Sequence, residues 1–183
     1  MPITVFDSVY AKKVVCSELM YAQAPFFPSI YRHKVRDLML EHFTSSFSTE
    51  LPAKIYISRA DSSKRKLLNE DAISKELSKL GFKTLILSEL THAQQVQVFN
   101  SAKYIVCPHG AGTTNVLFCN NEASVLELHQ KSYPNAGPAS LLKTNGARYY
   151  ADIYDDDGLG QKTKGWSADT RLCLDTVQRM MSN

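Results

Sequence analysis

The run Tyr104-Ile105-Val106-Cys107 contains no charged or amide side chain. A half-buried strand alternates, whereas a strand without a polar position is covered on both faces. Covering both faces takes helices on each side of a sheet, and that demand restricts the fold more than any other feature. The rest of the chain supplies the parts. "AKIYIS" (53–58), "FKTLILS" (82–88), "SVLELH" (124–129) and "ARYYADIY" (147–154) read as further strands. Helical stretches separate them. "NEDAISKELSKLG" (69–81) has Asn69 as its cap, Ile73, Leu77 and Leu80 on one face, and Gly81 as its stop. "THAQQVQVFNSA" (91–102) opens with a capping box, Thr91 and Gln94, and turns Val96, Phe99 and Ala102 toward a core. "TNVLFCNN" (114–121) is a short helix, "GPASLLKTNG" (137–146) a helix with Pro138 near its start, and "SADTRLCLDTVQRMM" (167–181) the last helix. The rhythm predicts an α/β fold: a Rossmann-like parallel sheet with helices on both faces, the carboxyl ends of its strands forming one rim.

This sheet belongs to residues 51–183. Residues 1–50 read as an N-terminal segment, partial or linker-like, with one helix, "SIYRHKVRDLMLEHF" (29–43). Ser29 caps that helix, and Val35, Leu38, Met39 and Phe43 recur at helical spacing. The hydrophobic share of 44% and charged share of 21% are those of a globular domain. No apolar stretch approaches the roughly 20 residues of a membrane span, and no secretory signal is visible at the start. The four cysteines have no metal-ligand spacing, and Cys107 and Cys119 fall in apolar runs, as buried thiols do in a reducing, cytoplasmic setting. A net charge of +3 does not imply nucleic-acid binding, although Lys12, Lys13, Arg32, Lys34 and Arg36 could form a local patch.

Chemistry concentrates after the buried strand, in "PHGAGTTN" (108–115). Gly110 and Gly112 let another group approach the backbone. The following helix offers unpaired amides at its positive end, and Thr113, Thr114 and Asn115 can cap it or donate to oxygen atoms. Phosphate suits such a place; a tight turn with no ligand would also use these residues. His109 stands just before the glycines. It could donate to a phosphate oxygen, hold the loop, or simply bond a carbonyl. A general base is the weaker reading, since the local sequence holds no partner carboxylate. A basic loop follows the first strand, with Arg59 at the strand's end and Lys64, Arg65 and Lys66 beyond. An arginine fork matches a diphosphate.

The order "YISR…R…NE", "LGF", "QQVQVF", "IVCPHGAGTTNVLF", "VLEL" resembles glycosyltransferase family 61 over residues 54–150. The resemblance implies the C-terminal, nucleotide-sugar-binding half of a GT-B enzyme. It implies inverting, metal-independent transfer from a nucleotide-diphosphate donor, a UDP-sugar by analogy, to a glycan acceptor in polysaccharide synthesis. No cofactor is implied. Carried over by motif, Arg59 and Arg65 would contact the diphosphate, Asn69 would close the basic loop, and Gln95 would sit on the helix before the buried strand. His109, Gly110, Ala111, Gly112, Thr113, Thr114 and Asn115 would form the phosphate loop. Glu127 would contact ribose or the loop, or cap a neighbouring turn. The family has leucine where this chain has Thr113. The acceptor half is not evident, so the resemblance also leaves a non-catalytic nucleotide-binding module, a homodimer, or association with a separate N-terminal half as readings.

Two other classes fit poorly. "YDDDG" (154–158) places Ile153 and Lys164 where an EF-hand needs carboxylates, and reads as a solvated acidic turn. No Gly-x-Ser-x-Gly elbow supports a hydrolase.

Overall fold

The structure, a computed structural model, describes residues 29–44, 50–160 and 165–182. Most of the N-terminal segment, with Lys12, Lys13 and Cys16, lies outside the described residues. In chain order the elements are α1 (Ser29–Thr44), β1 (Lys54–Ser58), β2 (Lys66–Leu67), α2 (Glu70–Lys79) and β3 (Lys83–Ile86). A 3₁₀ turn (Leu87–Glu89), α3 (His92–Ser101), β4 (Tyr104–Pro108) and a 3₁₀ helix (Ala111–Phe118) follow. The chain then forms β5 (Ser124–Gln130), α4 (Gly137–Asn145), β6 (Arg148–Tyr154), β7 (Gly165–Trp166) and α5 (Thr170–Ser182).

Five strands form one parallel sheet in the order β3-β1-β4-β5-β6. The chain goes outward from β1 to β3, then crosses back to β4 and continues the other way. The direction therefore reverses between β1 and β4. Loops leaving those two strands part there and open a crevice, the usual ligand seat of a doubly wound sheet.

Alternation along each strand sorts the side chains into two layers. Ile55, Ile57, Ile105, Cys107 and Val125 face Val96 and Phe99 of α3, Val116 of the 3₁₀ helix and Leu142 of α4. Met39, Leu40 and Phe43 of α1 close this layer. Tyr56, Tyr104, Val106, Leu126 and Leu128 face the opposite way, onto Ile73 and Leu77 of α2 and Cys173, Val177 and Met180 of α5. Every residue of β4 is buried, as its unbroken apolar run requires. Truncating a fully buried leucine such as Leu77 to alanine would cost on the order of 2–5 kcal/mol.

Several local expectations hold. Thr91 and Gln94 form a reciprocal capping box on α3. Gly81, just past the end of α2, takes the left-handed conformation, at φ 85°. Burial pushes the Cys107, Cys119 and Cys173 thiols up, the last to about 12, so none is poised as a thiolate.

Others are corrected. Val35 is 42% exposed, and Leu40 takes the inward seat on α1 instead. The stretch from 114 to 121 is not an α-helix: the 3₁₀ helix begins earlier, at Ala111, and ends at Phe118. The basic loop contains β2, which pairs in parallel with β7 to form a two-stranded sheet that local sequence did not reveal. Asn69 precedes α2 but makes no capping bond. Its side-chain amide donates to the Ala168 carbonyl at 2.7 Å and its oxygen accepts from the Ala168 amide at 3.1 Å. Pairing with the distant connection between β7 and α5 satisfies both ends of the amide, which a cap could not do.

Candidate functional site

The switch point between β1 and β4 holds a cleft of about 330 Å³. One wall is the basic loop, with Ser58, Arg59, Ser62 and Arg65; the other is Pro108, Ala111, Gly112 and Thr113. Asp61 also reaches the cleft, as an exposed carboxylate.

Arg59 is set by its strand and by α2. Its backbone amide donates to Glu70 Oε1 at 2.8 Å, and the same oxygen accepts the buried Tyr56 hydroxyl at 3.0 Å. The guanidinium Nη2 donates to Ser62 Oγ at 2.8 Å and the Lys64 carbonyl at 3.2 Å. The guanidinium lies directly against Gly110: a Cβ built on that glycine would stand 1.5 Å from Nη1. Gly110 has φ 178°, an extended backbone open to any residue. Glycine is needed there for space alone. A Cβ on Gly112 would likewise meet Leu87 Cδ1 at 2.7 Å.

Arg65 approaches from the far end of the loop. Its backbone has φ 51°, a conformation that side chains other than glycine adopt at a cost of roughly 1–2 kcal/mol. Trp166 Nε1 donates to its carbonyl at 3.3 Å, and its guanidinium lies over the Tyr133 ring, 4.9 Å from the centroid. Burial, and then the neighbouring Arg65, lower the pKa of Arg59. The Nε of both arginines is sealed from solvent without a hydrogen-bond partner. Two cations are therefore held together with donor capacity left over.

The glycine loop contributes backbone rather than side chains. Thr113 is the first amide of the 3₁₀ helix with an internal partner, bonding Gly110 O at 3.0 Å, so the amides of Ala111 and Gly112 precede the helical ladder. Thr113 is 2% exposed, and its hydroxyl donates to Gly110 O at 2.6 Å, which allows a polar group in an apolar seat. The Thr114 hydroxyl donates to Ala111 O at 2.7 Å. Asn115 Nδ2 donates to Gln95 Oε1 at 3.1 Å and Gly112 O at 3.2 Å, while Gln95 Nε2 donates to the Leu87 and Leu90 carbonyls. Thr113, Thr114 and Asn115 thus brace the loop in this conformation. Asn69 closes the basic loop at its outer end, on Ala168, away from the cleft lining.

His109 does have a carboxylate partner, but not a local one. Parallel pairing sets Cys107 opposite Glu127 and Pro108 opposite Leu128, and the His109 amide donates to Leu128 O at 2.9 Å. Glu127 and His129, two residues apart on β5, then share the face on which His109 lies. His109 Nδ1 is 2.6 Å from Glu127 Oε1, while the Tyr149 hydroxyl donates to Oε2 at 2.7 Å and His129 Nε2 stands 3.2 Å from it. Burial pushes the Glu127 carboxyl up, but hydrogen bonds from His109, His129 and Tyr149 outweigh it and bring it down to about 2. Glu127 is 0% exposed, and its carboxylate holds the His109 ring at the base of the glycine loop.

His109, Glu127 and His129 place ligand-type atoms within 4.8 Å of one another. The 2.6 Å separation of His109 Nδ1 and Glu127 Oε1 is a hydrogen-bond length, whereas two donors on one tetrahedral zinc lie about 3.3 Å apart. The His109 ring stacks on His129 at 4.9 Å and meets Tyr133 at 5.6 Å. It stands behind the cleft wall rather than in its lining. His129 was legible as the second position of the Glu-x-His alternation. Tyr133 and Tyr149 carried no local mark.

The acidic turn faces elsewhere. Lys131 pairs with Asp155 at 2.8 Å, Ser132 donates to Asp156, and Asp157 accepts the Leu159 amide at 3.0 Å. The arginines of the basic patch are also engaged: Arg32 donates to Ser140 O at 3.1 Å and Arg36 to Cys119 O at 3.2 Å.

Fold and site together define a doubly wound α/β protein with a cationic, amide-lined crevice at its switch point. The Glycosyltransferase 61 family pattern matches residues 2–126, and the chain belongs to that family. The match reaches further toward the N-terminus than the motifs at 54–150 and stops within β5. No curated protein matches the chain. Among the described residues, no helix is long and apolar enough to cross a membrane.

Proposed function

We propose that the crevice between β1 and β4 seats the diphosphate of a nucleotide sugar, a UDP-sugar by family analogy. On this reading the chain is the donor-binding half of an inverting, metal-independent GT-B transferase acting on a glycan acceptor in cytoplasmic polysaccharide synthesis. The observation that carries it is the pair Arg59 and Arg65. Their charges repel, and they share the cleft with Ala111 and Gly112, whose amides precede the helical ladder. A diphosphate offsets the repulsion and gives those amides an acceptor. During transfer an acceptor hydroxyl attacks the anomeric carbon while the diphosphate leaves from the opposite face. Negative charge grows on the departing oxygens, where fixed guanidinium groups and amides meet it. Each such donor contributes on the order of 3 kcal/mol to the transition state.

Calorimetry with UDP tests the binding step. Wild type should bind, and Arg59→Ala should bind roughly ten- to a hundredfold more weakly with the fold intact. Equal affinity would overturn the assignment. A second reading is a nucleotide-binding module without turnover. Release of UDP from a sugar donor in the presence of glycan acceptors separates the two.

A further inference from the structure

Arg65 reaches the cleft from a loop, on a left-handed backbone, and something must hold its long side chain there. Among the described residues no carboxylate lies within ion-pair distance of it. The contact it does make is with a π face: its guanidinium carbon is 4.9 Å from the Tyr133 centroid. Tyr133 meets the His109 ring at 5.6 Å and a tilt of 55°. That ring is stacked on His129 and bonded to the buried Glu127 at 2.6 Å. A continuous column therefore runs from the core carboxylate through two rings to the guanidinium on the cleft wall.

We propose that Tyr133 is the positioning residue for Arg65, and that the Glu127–His109 pair is the footing on which Tyr133 rests. The physical advantage lies in what an aromatic support leaves unspent. A carboxylate would fix the guanidinium but neutralise it and occupy its N–H donors. A ring face attracts the cation through its quadrupole and leaves the edge donors free for an arriving anion. His109 then acts through Tyr133 and Arg65, which accounts for its place behind the lining and for the buried carboxylate that pins it. This inference rests on the reading of Arg65 as a diphosphate ligand.

The test is calorimetry on the full chain at one ionic strength, with UDP and with inorganic pyrophosphate as probes. Arg65→Ala should weaken both roughly tenfold or more. Tyr133→Phe, which keeps the ring, should stay within about threefold of wild type, while Tyr133→Leu should lose roughly tenfold. The double variant should bind no more weakly than Arg65→Ala alone, because Tyr133 acts through Arg65. Full affinity in Tyr133→Leu beside a weakened Arg65→Ala would overturn the inference, as would losses that add in the double variant. If Arg65→Ala binds like wild type, or wild type binds neither probe, the diphosphate reading itself fails and this inference with it. A measurement on wild type avoids any folding defect of Tyr133→Leu. The Arg65 Nε–H proton should resonate upfield through the Tyr133 ring current, and Glu127→Gln should reduce that shift. An unshifted proton in the folded protein overturns the proposal.

Discussion

The guanidinium of Arg59 occupies the space that a side chain on Gly110 would need, with Nη1 1.5 Å from the position of a Cβ there. A basic loop after β1 and a glycine loop after β4 are thereby in direct contact, although 50 residues separate them in sequence. The glycine serves the arginine as much as it serves any ligand.

Gly110→Ala should therefore act through Arg59. The backbone at φ 178° accepts alanine, and the atoms it meets are the end of a flexible side chain. The fold should survive while the guanidinium is pushed aside. UDP affinity should fall roughly ten- to a hundredfold, comparable to Arg59→Ala, and calorimetry on both variants checks the equivalence. Wild-type affinity in Gly110→Ala would show that the close approach has no bearing on binding.

The left-handed backbone of Arg65 separates stability from function at one position. Arg65→Ala keeps the unfavourable φ of 51°, whereas Arg65→Gly relieves it. Both should lose UDP affinity. In urea unfolding, Arg65→Gly should be more stable than Arg65→Ala by about 1 kcal/mol, after the greater flexibility of glycine in the unfolded chain is counted.

Glu127 makes stability depend on acid pH. Its folded pKa of about 2 lies below its ordinary 4.5, so the carboxylate form favours the folded state. The stabilisation is complete above pH 4.5 and is lost as the pH falls toward 2. Its full size is on the order of 3 kcal/mol. Glu127→Gln should be less stable at neutral pH and should lack this acid-limb slope. Parallel slopes for the two proteins between pH 4.5 and 2 would contradict the network.

Asn69 should prove a fastener. Asn69→Ala removes both bonds to Ala168 and should lower stability by about 2 kcal/mol, seen as a lower melting temperature. UDP affinity should change less than about threefold. Asn69→Asp keeps the acceptor for the Ala168 amide, loses the donor to its carbonyl, and should fall between.

Much of the molecule is legible in its sequence. The apolar run at 104–107 demanded a doubly covered strand, the Thr91–Gln94 spacing specified a capped helix, and Pro-His-Gly-Ala-Gly marked a loop built for close approach. Each depends on residues within a turn or two of one another. The failures share a cause. Asn69 looked like a cap because its neighbours are helical, yet its partner is Ala168. His109 looked unsupported because its carboxylate lies on the next strand.

The sequence by itself determined the five main strands, the α-helices between them, their order, and the position of the glycine and arginine loops at strand ends, because side-chain periodicity and backbone preference are local; it did not show the 3₁₀ helix at Ala111–Phe118 or the β2–β7 pair. Only the tertiary structure decided that β1 and β4 are neighbours, that the register of β4 with β5 sets His109 beside Glu127, and that the Tyr133 ring lies against the Arg65 guanidinium. Those relations depend on which strands pair and at what offset, and the whole buried sheet fixes that through its packing.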